Sequence, residues 1–334
     1  MFFLYLIFFL GLCKKIASME DIDDILLKIG YTDIPDISGI KIAMAKDFSS
    51  WIEDINFEEA LDFYGLISHS KFMKLFLPYL DFYNKSPDLQ RAAFVLHHYL
   101  FDTQKYNWER KFNRSVEDMF AAVVLLSGYK KHIANMKQLN FDAEQIEKHK
   151  RRIFECCTIG FDTYKLSHMQ DSQLKWGTLF INTHIYEIGR LQFEVNRYEY
   201  KIENFDMEDE FCVDVHIPRG GKLDNSLAEE SLLSAQKTLP QIYKELPAKP
   251  KIFLFSWLLS KEVNELLPED SNIKLFSKRF KIIKTWSGCS LNHFLFNKYD
   301  WDIKNFSENT SLQRLIKQKL LFGEKFYDAI GVLK

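Results

Sequence analysis

Glycine and proline are scarce in this sequence, which has 13 and 8 of them among 334 residues. This scarcity excludes a collagen-like or low-complexity chain, which would be rich in one or both. An excess of one charge is also lacking, because 44 lysines and arginines face 46 acidic residues and leave a formal net charge of −2. A dedicated nucleic-acid binder needs surplus cations to displace counterions from phosphates. We therefore expect no nucleic-acid partner.

The cysteines are few and fit no metal or disulfide pattern. They are Cys13, Cys156, Cys157, Cys212 and Cys289, an odd number with one adjacent pair and no CxxC motif. This arrangement resembles neither a disulfide framework nor a zinc site, and adjacent cysteines rarely bridge each other without strain. We expect free thiols in a reducing, cytoplasmic compartment and no metal cofactor.

The apolar run at residues 2–13 is too short to cross a membrane alone. A spanning helix needs about 20 apolar residues. A secretory signal carries positive charge before its apolar core, whereas Lys14 and Lys15 follow this one. Met19 opens a segment with an acidic first turn, apolar residues at helical spacing and a glycine stop, which is typical of a protein start. Residues 1–18 are thus a hydrophobic extension with three alternatives: a spurious upstream start, a signal or membrane anchor, or a packed helix.

What the sequence has in abundance is aromatic side chains. It contains 30 Phe, 15 Tyr and 6 Trp residues. Large rings bury much surface, so they favour dense cores or an apolar pocket over disorder. The length favours two domains.

The first half of the chain is predicted to be helical. Apolar residues recur three and four positions apart in several segments before residue 188. The predicted helices cover residues 57–67, 88–100, 116–132, 143–157 and 173–188.

The pattern changes after Gly189. Apolar and polar residues alternate over 191–197 and again over 211–217, which predicts two strands of a hairpin. A phase slip past Arg197 predicts a β-bulge, and residues 204–209 a polar turn. Next come a glycine loop, a helix from Asp224 or Ser226 kinked at Pro240, a strand at 251–259, a strand at 275–286, a helix at 310–322 and a strand at 329–333. This order predicts an α+β protein with helices over 19–187 and a mixed sheet over 188–334.

The glycine loop, Pro218 to Lys222, is the strongest candidate site. A glycine-rich turn that opens a helix exposes unpaired backbone N–H groups at the positive end of the helix dipole, which suits a phosphate. The motifs GxxxxGKS/T and GxGxxG are absent, so an ordinary turn is the alternative reading. The candidate binding residues are Arg219, Gly220, Gly221, Lys222 and Ser226, and Ser226 with Glu229 also forms a capping-box pattern.

The polar face of the hairpin is the second candidate. Gln192 and Glu194 share one face of the first strand, and Asp214 and His216 share one face of the second. In the right register a carboxylate and an imidazole would meet there, at the mouth of the glycine loop, as general base and orienter. The alternative is a face that is merely wetted by solvent.

A basic stretch from Lys274 to Lys284 is the third candidate. It carries five cations and no acid, so it suits a polyphosphate or a nucleotide 3′-phosphate. A solvated strand face is the more common explanation.

Five ordered blocks resemble a family of mostly bacterial two-domain acyltransferases. They are IGRLQFE (188–194), VHIPRGGKLD (215–224), FSWLLS (255–260), LPEDSNIKLF (267–276) with RF (279–280), and TSLQRLIKQKL (310–320). The segment SVEDMFAAVVLLSG (115–128) is similar to the family's helical N-acyltransferase domain. The resemblance implies that domain over 19–187 and, over 188–334, a GNAT-like α/β domain with a mixed, mostly antiparallel sheet.

The resemblance also implies a function. GNAT-type folds bind the pyrophosphate of acyl-CoA through backbone N–H groups between a central strand and the next helix. The implied reaction is acyl transfer from acyl-CoA to a small amine, with His216 or Glu194 as the base and Arg219 to Lys222 and Ser226 holding the acyl donor. The family usually has His where this chain has Phe255. The alternative is therefore a catalytically silent GNAT-like module that binds a ligand or a protein.

Overall fold

A computed structural model describes residues 31–32, 48–102, 109–110, 119–197, 211–288, 290–298 and 302–334. Several predictions lie outside these residues: the extension at 1–18, the start of the helix at 116–118, the bulge past Arg197 and the turn at 204–209. Cys13 and Cys289 lie outside them as well. Within the described residues, no helix is both long enough and apolar enough to cross a membrane.

The first of two units comprises Met1–Ala134 and Lys150–Asn182, and we call it the helical unit. Its central helix, α4, is buried at every position, as its sequence FAAVVLLS requires. Aromatic rings fill the surrounding core; Phe72 stacks on Phe76 with 5.0 Å between centroids, and Phe57 meets Tyr83 edge to face. Its described helices include α1 (Phe57–Phe63), α2 (Ser70–Asn84), α3 (Pro87–His97), α4 (Phe120–Ser127), α5 (Tyr129–Gln138), α6 (Ala143–Asp162) and α7 (Asp171–Ile181), with α5 and α6 each continuing into the other unit.

The second unit comprises Asn135–His149 and Thr183–Lys334, and we call it the sheet unit. Among its described residues lies a six-stranded sheet in the order β1-β2-β3-β4-β6-β5. Only β3 and β4 pair in parallel, which confirms the predicted α+β class with a mixed, mostly antiparallel sheet. The strands are β1 (Ile185–Ile188), β2 (Leu191–Arg197), β3 (Phe211–His216), β4 (Ile252–Ser256), β5 (Phe280–Ser287) and β6 (Tyr327–Leu333).

The crossover between the parallel strands is helix α8, Asn225–Ile242. Its apolar stripe packs on one face of the sheet, where Leu239 joins Phe193 and Leu254 in the main core. The other helices of the unit cover a second apolar cluster that includes Trp257 and Ile316. They are α9 (Lys261–Leu266), α10 (Asn272–Ser277), α11 (Ser290–Phe296) and α12 (Ser311–Leu321), the last starting at a capping box formed by Thr310 and Gln313.

Two leucines of α8 offer a matched test of this packing. Leu239 is completely buried, whereas Leu233 is 54% exposed on the same helix. We expect Leu239→Ala to lower the free energy of unfolding by about 2–5 kcal/mol, because it removes buried methyl groups and leaves a cavity. Leu233→Ala should change it by about 0.5 kcal/mol or less. Urea unfolding of both variants measures the difference, and equal losses would contradict this placement of α8.

Two sequence predictions of secondary structure are wrong. The helix predicted at 173–188 ends at Ile181, and Ile185–Ile188 form β1 instead. Thr183 has a φ of +55°, which breaks the helix, and the next residues pair with β2. The strand predicted at 275–286 begins at Phe280, because residues 272–277 form α10 and bring Phe276 against Phe280 in the core.

Candidate functional site

The hairpin of β2 and β3 has the predicted alternation and brings the expected pair together. Gln192 lies opposite His216 and Glu194 opposite Asp214. The side chain of Glu194 reaches diagonally to His216, with 2.8 Å between Oε2 and Nε2. Such diagonal neighbours on one face of a sheet lie within reach of long side chains. His216 is 31% exposed and Glu194 14%, so the imidazole is the more accessible of the two groups.

The electrostatics of this pair favour a basic imidazole. Burial lowers the pKa of His216, but the hydrogen bond and charge of Glu194, together with the charge of Asp214, outweigh burial and raise the net pKa above 6.5. A carboxylate that accepts one ring N–H also fixes the tautomer and orientation of the ring. The pair therefore has the geometry of a base and its orienter.

More polar side chains continue along the same face. Asn196 Nδ2 donates to Asp214 Oδ2 at 3.2 Å, one diagonal step beyond the Glu194–His216 contact. On the other side, Gln192 Nε2 donates to Glu187 Oε1 at 2.7 Å. Asn196 was missed in the sequence, although its position two residues after Glu194 places it on the same face.

The glycine loop follows β3 directly. Gly220 and Gly221 have φ values of +83° and +71°, a conformation that favours glycine. Arg219 Nη1 donates to Asn297 Oδ1 at 2.8 Å, and Lys222 is exposed. A second missed residue, Arg190, lies behind the loop and bonds to its carbonyl groups.

The helix that follows the loop is capped by Asp224. Its Oδ1 accepts from the N–H groups of Ser226 and Leu227 at 3.0 and 3.1 Å, so the predicted Ser226–Glu229 capping box is wrong. Ser226 Oγ instead donates to the same carboxylate oxygen at 2.6 Å. The negative charge of Asp224 already occupies this helix end and disfavours a second anion there. Ser226 also lines an open groove of about 430 Å³ on the outer side of α8, beside Glu229 and Glu230.

The parallel strands β3 and β4 part at this edge of the sheet. Their ladder contains two Cα pairs, Val213 with Ile252 and Asp214 with Phe253. His216 and Phe255 each lie two residues beyond the last pair, on the same face of the sheet. Phe255 is 40% exposed and contacts Trp286. An imidazole and an aromatic ring therefore follow the end of the parallel ladder.

The basic stretch is largely paired with acids. Lys274 and Lys278 both contact Glu269, at 2.8 and 2.7 Å, and Arg279 contacts Glu229 at 2.9 Å. These ion pairs favour the alternative of a solvated surface. Among the residues that the structure describes, no group of three or more His, Cys, Asp or Glu side chains is placed to hold a metal ion.

Comparison with known proteins identifies the fold. Residues 185–333 match the family model described as the GNAT-like C-terminal domain. A solved acyltransferase in complex with decanoyl-CoA has 19% identity and a TM-score of 0.63, covering 75% of this chain and 79% of its own. The same values of identity and TM-score hold for an acyltransferase complex with decanoyl-CoA and teicoplanin, over 75% and 80%.

Another solved structure is similar over nearly the whole chain. It is an acyltransferase mutant in complex with octanoyl-CoA, with 17% identity and a TM-score of 0.71, covering 94% of this chain and 99% of its own. No curated protein matches the sequence. At such identities the likeness is one of fold. Residues 185–333 are therefore similar to the GNAT-like C-terminal domain, and the chain has the fold of solved acyltransferases.

Proposed function

We propose that the protein is an N-acyltransferase that moves an acyl group from acyl-CoA to an amine. The observation that carries this proposal is the position of the His216–Glu194 pair, two residues before the glycine loop and at the opening between β3 and β4. A base and a glycine loop suited to an anion thus lie together at the carboxyl ends of the central strands β3 and β4, where the two strands no longer pair.

The loop and the parted strands suit the two halves of coenzyme A. Backbone N–H groups of a glycine-rich loop favour a pyrophosphate, and Arg219 and Lys222 add positive charge nearby. Strand edges that no longer pair with each other offer N–H and C=O groups to an extended ligand with amides, as in strand addition. The pantetheine arm has that chemistry, and it would carry the thioester from the loop toward His216.

The chemistry requires proton transfers and one acyl transfer. His216 Nδ1 accepts a proton from the amine while Glu194 accepts a hydrogen bond from Nε2 and holds the ring. The amine nitrogen then forms a bond to the thioester carbonyl carbon, and the C–S bond breaks. The thiolate of coenzyme A takes up the proton and leaves as the free thiol, so no metal or redox group is required.

The acceptor is an amine of a small molecule. An acyltransferase of the same fold has been solved in complex with decanoyl-CoA and teicoplanin. A cytoplasmic location is supported by the buried free thiols of Cys156, Cys157 and Cys212.

Phe255 favours a second candidate, a catalytically silent module. Residue 255, where the family that the sequence resembles usually has His, is an aromatic ring that neither accepts nor donates a proton. Such a module would bind acyl-CoA, yet a panel of amines would release no free thiol. Turnover with any amine excludes it.

Calorimetric titration with acetyl-CoA and decanoyl-CoA tests the proposal. We expect saturable binding by the folded protein, and coenzyme A should compete because it carries the same pyrophosphate. Release of free thiol from acyl-CoA in the presence of an amine panel then tests turnover. If no acyl-CoA binds to protein that is folded by circular dichroism, the proposal fails.

A further inference from the structure

Arg190 makes three hydrogen bonds to the carbonyl groups of the glycine loop. Its Nε donates to the carbonyl of Lys222 at 2.9 Å, Nη1 to that of Pro218 at 3.1 Å and Nη2 to that of Gly221 at 3.2 Å. Three separate nitrogens of one guanidinium thus hold three of the five loop residues. The planar fork of arginine has the fixed geometry that such multiple contacts need.

The direction of these carbonyls sets the direction of the neighbouring N–H groups. In a trans peptide the C=O of one residue and the N–H of the next point opposite ways, and the described residues contain no cis peptide. Carbonyls turned toward Arg190 therefore turn the N–H groups of Arg219, Lys222 and Leu223 away from it. No described residue accepts a hydrogen bond from the N–H of Lys222 or Leu223. Hydrogen bonding at the carbonyl also polarises the peptide and makes its N–H a stronger donor.

Arg190 is itself fixed to helix α8. Its backbone N–H donates to Ser231 Oγ at 2.8 Å, and that hydroxyl donates to the carbonyl of Leu227 at 2.6 Å. The preceding Gly189 has a φ of +56° and lies so close that a Cβ there would be 2.5 Å from Ser231 Oγ. The backbone of Arg190 is thus anchored between the β1–β2 turn and the helix, and the place from which its side chain reaches the loop is fixed independently of the loop.

We propose that Arg190 is the positioning residue of the pyrophosphate site: it orients the loop N–H groups before acyl-CoA binds. This inference rests on the proposed function and adds a residue to it. Arg190 touches the loop, and the loop N–H groups touch the pyrophosphate. A site oriented in advance loses less entropy on binding, so the affinity depends on Arg190.

The test compares the KM values of an Arg190→Met variant for two acyl donors, one with the pyrophosphate and one without it. We expect its KM for acyl-CoA to rise about tenfold or more, the factor that corresponds to 1.4 kcal/mol. Its KM for the matching acyl-pantetheine, which lacks the pyrophosphate, should stay within about twofold, because that donor does not use the loop. The KM of Arg190→Lys for acyl-CoA should lie between those of Arg190→Met and the wild type, since an ammonium group cannot bond three carbonyls at once as the guanidinium does. Arg314→Met removes an exposed arginine that also bonds a carbonyl, that of Glu308, and should change neither KM.

The KM values for the two donors distinguish a positioning role of Arg190 from a structural one. A rise in KM for acyl-CoA alone supports the positioning role. An equal rise for both donors, with a lower melting temperature, shows a merely structural role and overturns it, as does no rise for either donor. If the wild-type protein binds no acyl-CoA, the proposed function fails first, and the inference fails with it.

Discussion

Replacement of His216 with alanine is expected to lower kcat for acyl transfer by about 10²- to 10⁴-fold, the range that a positioned general base contributes. The reason is the 2.8 Å contact between His216 and Glu194, which holds the imidazole at the opening between β3 and β4. The affinity for acyl-CoA should stay unchanged, because the loop that holds the pyrophosphate remains intact. Steady-state kinetics and calorimetry on the same variant separate the two effects.

The dependence of kcat on pH tests separately whether His216 is the base. Glu194 raises the pKa of His216, so the imidazole must lose its proton at higher pH than an isolated histidine. Glu194→Gln removes the hydrogen-bonded charge and lowers that pKa. The acidic limb of the kcat profile should therefore move to lower pH in the variant. Glu187→Gln is the matched control, because this carboxylate lies on the same face and bonds Gln192 instead. An unmoved limb in Glu194→Gln would show that His216 is not the base.

Substitution of Gly221 by aspartate is expected to weaken acyl-CoA binding about tenfold or more, or 1.4 kcal/mol and above. A carboxylate at this position repels the pyrophosphate, and a side chain at a φ of +71° strains the loop by about 1–2 kcal/mol. Gly221→Ala carries the strain without the charge and should have the smaller effect. Calorimetry with coenzyme A measures both.

A control for these loop variants is available in the same unit. Gly323 also has a positive φ, +83°, and a Cβ there meets nothing within 4 Å. Gly323→Asp therefore introduces the same strain and charge at the end of α12, away from the loop. It should lower stability slightly and leave affinity unchanged. Equal losses of affinity at Gly221 and Gly323 would mean that the loop does not hold the anion.

The part of the site that lies in the hairpin could be predicted from the sequence, because a strand has a period of two. Alternation placed Glu194 and His216 on one face, and the observed register brought them into contact. The same register places Arg190 opposite Pro218, two residues beyond the pair of Gln192 and His216, so a register prediction would have found it as well.

Other features depend on contacts that local patterns do not contain. The identity of the α8 cap is one, since Asp224 and Ser226 are both good capping residues and only the chain path selects the aspartate. The place of β6 is another: this last strand inserts between β4 and β5, a long-range pairing that its own sequence cannot indicate. The end of α5 and the start of α6 are helical like the residues before them, yet residues 135–149 cluster with the sheet unit.

In the proposed complex the glycine loop binds the pyrophosphate of acyl-CoA and the thioester lies beside His216. A crystal structure of the protein with acyl-CoA bound would show both contacts. We predict pyrophosphate oxygens within hydrogen-bond distance of the N–H groups of residues 219–223, with the arm between β3 and β4 and the thioester carbonyl next to the imidazole. A pyrophosphate held elsewhere, or a thioester remote from His216, would contradict the account.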